Sequence, residues 1–154
     1  MLSNNNLHRF TVFFVLLLPL DLSFCAESPN GAFPFAYKHV VIRNDMISSR
    51  ATLSVHCRYK GKDLGLVKIP YDSSWGFKFH VNFFKTTRYR CHFTWPGQSK
   101  WFDVFKVSRD DTVGGPWPVC RECIWSVDGD TFGGPCRIRR DGKPPFCFGW
   151  DGKP

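Results

Sequence analysis

The chain reads as an all-β protein, a small disulfide-stabilised antiparallel β-sandwich of about seven to eight strands. Three observations predict this. Apolar and polar residues alternate with period two in several segments, turn formers punctuate those segments at short spacing, and an even set of six cysteines remains once an N-terminal leader is set aside.

The leader comes first. His8 and Arg9 precede an apolar run from Phe10 to Leu20, and small residues stand at Ser23 and Cys25. This is the charged, apolar, small-residue order of a secretory signal peptide, and the run is shorter than the roughly 20 apolar residues of a membrane span. Cleavage after Cys25 places small residues before the cut, whereas cleavage one residue later brings in Phe24. Residues 1–25 are therefore expected to be removed, taking Cys25 with them. About 130 residues remain, room for one core.

Residues 26–37 are rich in turn formers and lack periodicity, which predicts a flexible lead-in. The domain is expected over residues 38–136. In segment 52–58, Leu53, Val55 and Cys57 share one face and Ser54, His56 and Arg58 the other. In segment 75–82, Trp75, Phe77, Phe79 and Val81 oppose Gly76, Lys78, His80 and Asn82; in segment 88–95, Tyr89, Cys91, Phe93 and Trp95 oppose Arg88, Arg90, His92 and Thr94. Each pattern gives a half-buried strand with an apolar inner face. Segments 39–43, 64–69, 101–107 and 121–127 are further strand candidates, separated by turn signals at 60–63, 70–72, 96–98 and 114–116. No stretch carries a helical repeat. Residues 137–154 repeat Asp-Gly-Lys-Pro, are basic and turn-rich, and read as an extension held at one point by Cys147.

Charge bounds the partner class. The chain carries 21 Lys plus Arg against 13 Asp plus Glu, a net charge of +8. Loss of the leader removes one of each, Arg9 and Asp21, and leaves the balance unchanged. Such a surface attracts acidic partners: a cell-wall polysaccharide, a membrane surface, nucleic acid or an acidic receptor loop. No later segment is apolar enough to insert stably in a bilayer, and no Asn-X-Ser/Thr sequon follows the leader.

The remaining cysteines are Cys57, Cys91, Cys120, Cys123, Cys136 and Cys147. In an oxidising compartment they predict a disulfide framework whose pairing spacing alone does not choose. Cys120-Arg-Glu-Cys123 has redox or zinc spacing. Its flanks, Pro116-Trp-Pro118 and a strand, are not the helix start a redox motif uses, and Cys136 with Cys147 lacks finger spacing. A structural bridge is expected, and no metal or cofactor.

The histidines raise a ribonuclease question, because His and Lys together can cleave RNA by acid–base chemistry. His56, His80 and His92 fall on outer strand positions among Arg58, Lys78, Arg88 and Arg90. These seven form the candidate partner-binding face, one that attracts an acidic partner more strongly once its histidines are protonated in a mildly acidic wall. The sequence contains no Gly-X-Ser-X-Gly elbow, His-Glu-X-X-His pair or phosphate-cradling glycine loop. Most of the sixteen Phe and six Trp sit on inner positions and read as core; Trp117 and Trp150, among Pro and Gly, are the exceptions.

Taken in order, the anchors Val40-Val-Ile-Arg-Asn44, Leu53-Ser-Val-His-Cys57, Asp63-Leu-Gly65, Trp75-Gly-Phe-Lys-Phe79, Asn82-Phe-Phe84, Thr87, Cys91-His-Phe-Thr-Trp95, Trp101-Phe-Asp-Val-Phe105, Cys123-Ile-Trp125 and Gly134-Pro-Cys136 resemble the plant self-incompatibility protein family, the S-protein homologues. The resemblance implies a secreted β-sandwich stapled by bridges among Cys57, Cys91, Cys123 and Cys136, with no catalytic residues and no cofactor. It also implies an extracellular ligand: the family's named members are pistil-borne signals that stop incompatible pollen tubes. This chain departs from the pattern in its additional Cys120 and Cys147, in Arg88 and Arg90 at outer positions often hydrophobic in the family, and in its long tail. The first departure suggests a Cys120–Cys147 bridge anchoring the tail.

A secreted monomer that binds a cell-surface receptor or an acidic wall component is thus expected, with no nucleic-acid partner. A basic defence protein binding acidic polysaccharide or microbial membrane is the alternative, and a ribonuclease the third reading. Loops between stapled strands vary freely and carry recognition. The candidate recognition residues are Lys62, Asp63, Tyr71, Asp72, Gln98, Lys100, Asp110 and Trp117.

Overall fold

The computed structural model describes residues 37–129 and 133–153. The leader, 1–25, and the lead-in up to residue 36 lie outside the described residues. Strands β1 (Tyr37–Asn44), β2 (Leu53–Tyr59), β3 (Lys62–Ile69), β4 (Ser74–His80), β5 (Arg88–Trp95) and β6 (Gln98–Lys106) are followed by a single helical turn, α1 (Val107–Asp110). Strand β7 (Glu122–Val127) and two short strands, β8 (Cys136–Arg137) and β9 (Phe146–Cys147), complete the chain. They form a five-stranded sheet, β4-β1-β7-β8-β9, packed on a four-stranded one, β3-β2-β5-β6. The all-β sandwich is the predicted one.

The alternation read from the sequence is what builds the two inner faces. Leu53, Val55 and Cys57 from β2 and Tyr89, Cys91 and Phe93 from β5 are buried, and they meet Val40, Ile42, Cys123, Trp125 and Val127 from the opposite sheet. In β4 only Phe79 is fully buried, while Trp75 and Phe77 are half-buried, because β4 is an edge strand. The Trp125 indole N–H crosses the interior and donates to Val104 O at 2.8 Å, tying β7 to β6 and satisfying a buried donor.

Two expectations are corrected here. Strands β1 and β7 pair in parallel, with Val40 opposite Cys123 and Ile42 opposite Trp125. The rest of the ladder is antiparallel. Parallel neighbours need a long crossover, which the whole β2–β6 block supplies. The tail, in turn, is part of the sandwich. Residues 136–137 and 146–147 add two strands to the larger sheet, and Phe148 and Trp150 then pack against Trp125 and Phe93 at 5.5 and 5.4 Å. Asp151 N donates to Trp101 O at 2.8 Å, and Asp151 Oδ2 accepts from Asp103 N at 2.7 Å. The chain end thereby crosses from β9 to β6 and closes one side of the sandwich.

The bridges are Cys57–Cys91, Cys120–Cys123 and Cys136–Cys147. No Cys120–Cys147 bridge forms. Cys147 stands opposite Cys136 in the β8–β9 register, and Cys120 reaches only to the start of β7. Among the four positions implied by the resemblance, Cys57 and Cys91 pair as direct cross-strand neighbours. Cys123 and Cys136 do not pair with one another, because β8 aligns Cys136 with Ser126, three residues along from Cys123.

A polar cluster seals the end of the sandwich beneath α1. Asp110, fully buried, accepts from Arg109 Nε at 2.8 Å, from Arg137 Nη1 at 2.7 Å and from Lys106 N at 3.0 Å. The Arg109 guanidinium also lies 4.9, 4.7 and 5.0 Å from the ring centres of Phe102, Trp125 and Phe148. Alongside, buried Lys38 and Asp111 pair at 2.6 Å. Buried charges persist only when paired in this manner.

Candidate functional site

The outward face of the four-stranded sheet collects the residues that chemistry singles out. Because inner positions of β2 and β5 are apolar, His56 and Arg58 on β2 and Arg88, Arg90 and His92 on β5 must point outward. The antiparallel register then sets His56 opposite His92 and Arg58 opposite Arg90. Like charges directly across a strand pair repel. Two carboxylates offset this. Asp63 lies 2.6 Å from His56 Nε2 and 3.2 Å from Arg58 Nε, and Asp103 lies 2.9 Å from Arg88 Nε and 3.6 Å from Arg90 Nη1.

Both carboxylates owe their position to backbone irregularities. The β2–β3 register shifts between His56 and Arg58, next to Gly65 at φ 79°, and the β5–β6 register shifts between Tyr89 and Arg90. Such bulges re-aim side chains toward the outer face. Gly65 N donates to Asp63 Oδ1 at 2.8 Å, and this bond, followed by His56, holds the Asp63 carboxyl below its ordinary value. Asp103 in turn holds the Arg88 guanidinium above its ordinary value.

Trp101, an anchor that sequence reasoning placed inside, faces out. Phe102 is buried beside it, so alternation along β6 puts residue 101 on the solvent side. Its ring stacks on His92 at 4.4 Å and 18°, and the Arg90 guanidinium lies 5.9 Å from its centre. Burial against this ring, and then the charges of His56 and Lys153, push the His92 pKa down. Its Nε2 lies 2.8 Å from Ser99 Oγ. The face is thus a cationic and aromatic surface suited to a planar or anionic group.

Lys78 and His80 do not join it. They sit on β4, in the other sheet, so the seven predicted residues divide between opposite faces of the molecule. His80 packs edge-on against Tyr37 at 4.4 Å, and Lys78 is the register partner of His39. His39 lies 2.8 Å from Glu122 Oε1; burial first, then Lys78, lowers its pKa.

The predicted recognition residues divide as well. Lys62 and Asp63 open β3 at the end of the sandwich where the β2–β3 hairpin turns, and Trp117 lies in the connection that enters β7 from that end. Tyr71, Asp72 and Gln98 lie at the opposite end, and Lys100 is a strand residue beside Phe93. Asp110 is not a recognition residue, since it is the buried centre of the Arg109–Arg137 cluster. Trp117 packs edge-on against Phe146 and Phe148 at 5.1 and 5.0 Å, which makes it half core and half surface.

A cleft of about 360 Å³ opens beside β7 and β8, with Cys120, Arg121, Ile138 and Phe146 in its wall. Its cations include Arg137, engaged with Asp110, Arg139 with Asp141, and Arg140 with Glu122. Among the described residues no three His, Cys, Asp or Glu side chains gather as a metal site. Nor is any described helix long and apolar enough to cross a membrane.

Comparison with known proteins places this geometry in a lineage. A family model described as plant self-incompatibility protein S1 matches residues 39–150. S-protein homolog 19 of Arabidopsis thaliana is 39% identical over 115 residues, covering 75% of this chain and 77% of the relative. S-protein homolog 4 of the same plant is 34% identical over 142 residues, 90% of each chain. S-protein homolog 18 is 41% identical over 105 residues, covering 67% and 72%. The family match runs from β1 to Trp150, so it includes the tail as far as the ring that packs on Phe93.

Proposed function

The chain belongs to the plant self-incompatibility protein S1 family, and on that premise we propose that it is a secreted, non-enzymatic ligand. It leaves the cell after loss of residues 1–25 and binds an acidic partner at another cell's surface through the outward face of β2 and β5. Signalling between cells, of which pollen–pistil recognition is one case, is the role this reading gives it.

The observation that carries the reading is where the molecule puts its charge. Inside, Lys38 pairs with Asp111, and Arg109 and Arg137 share Asp110, so these buried cations serve the fold. Outside, Arg58 faces Arg90 and His56 faces His92, and Asp63 and Asp103 offset only part of that charge, which leaves a cationic excess of use to an acidic partner. The histidines of this face are also held by structural contacts, His56 by Asp63 and His92 by Trp101 and Ser99.

Charge reversal tests this. An Arg58→Glu/Arg90→Glu protein should bind plant cells at least about tenfold more weakly than the parent, as expected when complementary charges become repulsive. Lys78→Glu, on the opposite face, should change binding little. Equal loss with both proteins would reduce the interaction to net charge, and no loss with either would remove the face from the binding site.

A further inference from the structure

The turn between β4 and β5 holds two phenylalanines out in solvent. Phe83 and Phe84 are 67% and 80% exposed, and their rings meet edge-to-face at 5.6 Å and 84°. The turn beneath them is tightly built around one residue. Asn82 O accepts from Lys85 N at 3.0 Å, Asn82 Oδ1 accepts from Thr86 N at 2.8 Å, and Asn82 Nδ2 donates to Thr86 Oγ1 at 2.8 Å and to the Tyr59 hydroxyl at 3.2 Å. Thr87 Oγ1 accepts from Asn82 N at 2.9 Å, and Lys60 Nζ reaches across from the neighbouring hairpin to Thr86 Oγ1 at 3.1 Å. Lys85 adopts φ 52° to close the turn, a left-handed conformation that side chains other than glycine rarely take.

Adjacent exposed aromatics are a solubility liability in a secreted protein, and large exposed apolar groups rimmed by polar ones mark interaction sites. The rim here is cationic: Lys85 lies within the turn, Lys60 reaches its Thr86, and Arg88, paired with Asp103, follows it, all three exposed. Arg88 opens β5, so the tip continues directly into the face that carries Arg90 and His92.

We propose that Phe83 and Phe84 form an aromatic anchor that plugs into an apolar, acid-rimmed pocket on a partner protein. The proposal rests on the ligand reading above and supplies its point of attachment. A protein pocket is the occupant we favour, because the turn fixes the backbone that carries the two rings before binding and the cations beside them complement an acidic rim. Fixed aromatic anchors lose little freedom on entering a shaped pocket, and such residues dominate interface energetics. Trp and Tyr are the residues enriched at bilayer interfaces, and the exposed tip carries two phenylalanines instead.

The test compares saturable binding of the labelled, oxidised protein to living plant cells with that of Phe83→Ser/Phe84→Ser and Lys85→Glu proteins. Each is also measured on phosphatidylserine vesicles and on cells whose surface proteins have been stripped by protease. The double serine protein should melt with the parent yet bind at least about tenfold more weakly. Lys85→Glu should bind several-fold more weakly, and protease treatment should abolish binding of the parent. If the double variant melts early, Phe84→Ser alone decides on the same criterion. Equal binding by variant and parent overturns the anchor and leaves the ligand reading standing. Phenylalanine-dependent binding that survives proteolysis and is reproduced on vesicles overturns the protein pocket in favour of lipid. Absence of any saturable binding by the parent removes the ligand reading itself.

Discussion

Asp110 shows what one side chain can decide. It was legible in the sequence only as a loop acid, yet it pairs with two guanidiniums and caps a backbone amide with no exposure to water. Asp110→Asn should therefore cost about 3–5 kcal/mol, the usual result of leaving a buried charge unpaired, and a urea midpoint measurement checks it. A loss under 1 kcal/mol would mean that Arg109 and Arg137 find water instead. The histidines give a second prediction at this scale. His39 and His92 both have pKa values lowered, chiefly by burial, with Lys78 acting on the first and His56 and Lys153 on the second. A lowered histidine pKa means that the unfolded chain takes up protons first as pH falls. Their stability contribution is complete above the ordinary value of 6.5 and is lost as pH drops through the lowered folded values. The denaturation midpoint should fall between pH 7.5 and pH 5, and a His39→Gln/His92→Gln protein should show a flatter profile over that range. The same sign limits the expectation that mild acid charges the outer face, because His92 resists protonation until an anion joins it.

At the scale of elements, the tail is the feature that sequence alone misjudged. Gly134 has φ 102°, and a Cβ there would lie 2.4 Å from Phe148 O. The strand before the tail and the tail itself therefore fit together only with glycine at this position. Gly134→Ala should lower stability by roughly 1–3 kcal/mol through strain and displacement, and should expose Phe148 and Trp150 to a fluorescence quencher. Unchanged quenching would show that the closing segment does not depend on this contact. The strands were readable because β2, β4 and β5 keep strict alternation. The tail was not readable because β8 and β9 are two residues each, too short to show a period. Sheet membership was equally hidden. Periodicity says which side of a strand is apolar, but not that β4 pairs with β1 instead of with β2, and the candidate face split for that reason. Trp101, Phe83 and Phe84 read as core from their apolar character, although alternation against buried Phe102 is a usable signal that the first faces out.

For the whole molecule, the three bridges, the buried ion pairs and the crossing tail serve one end, which is to hold two sheets rigid so that an outer face and the turns beside it keep their shape. The family relation, over residues 39–150, covers all three bridges and most of that scaffold, with Lys38 and Asp151 just outside it. What distinguishes a specific ligand from a merely basic protein is its response to screening. Charge-driven attraction fades as the Debye length shrinks to roughly 6 Å near 0.3 M salt, whereas contacts that include buried aromatic surface persist. The most direct measurement is binding of the oxidised protein, lacking residues 1–25, to intact plant cells across a salt series reaching about 0.3 M. The account predicts saturable binding that survives the highest salt, reduced by reversal of Arg58 and Arg90 and by loss of Phe83 and Phe84. Linear, unsaturable binding that washes off at moderate salt would contradict it and leave a polyanion-binding protein in its place.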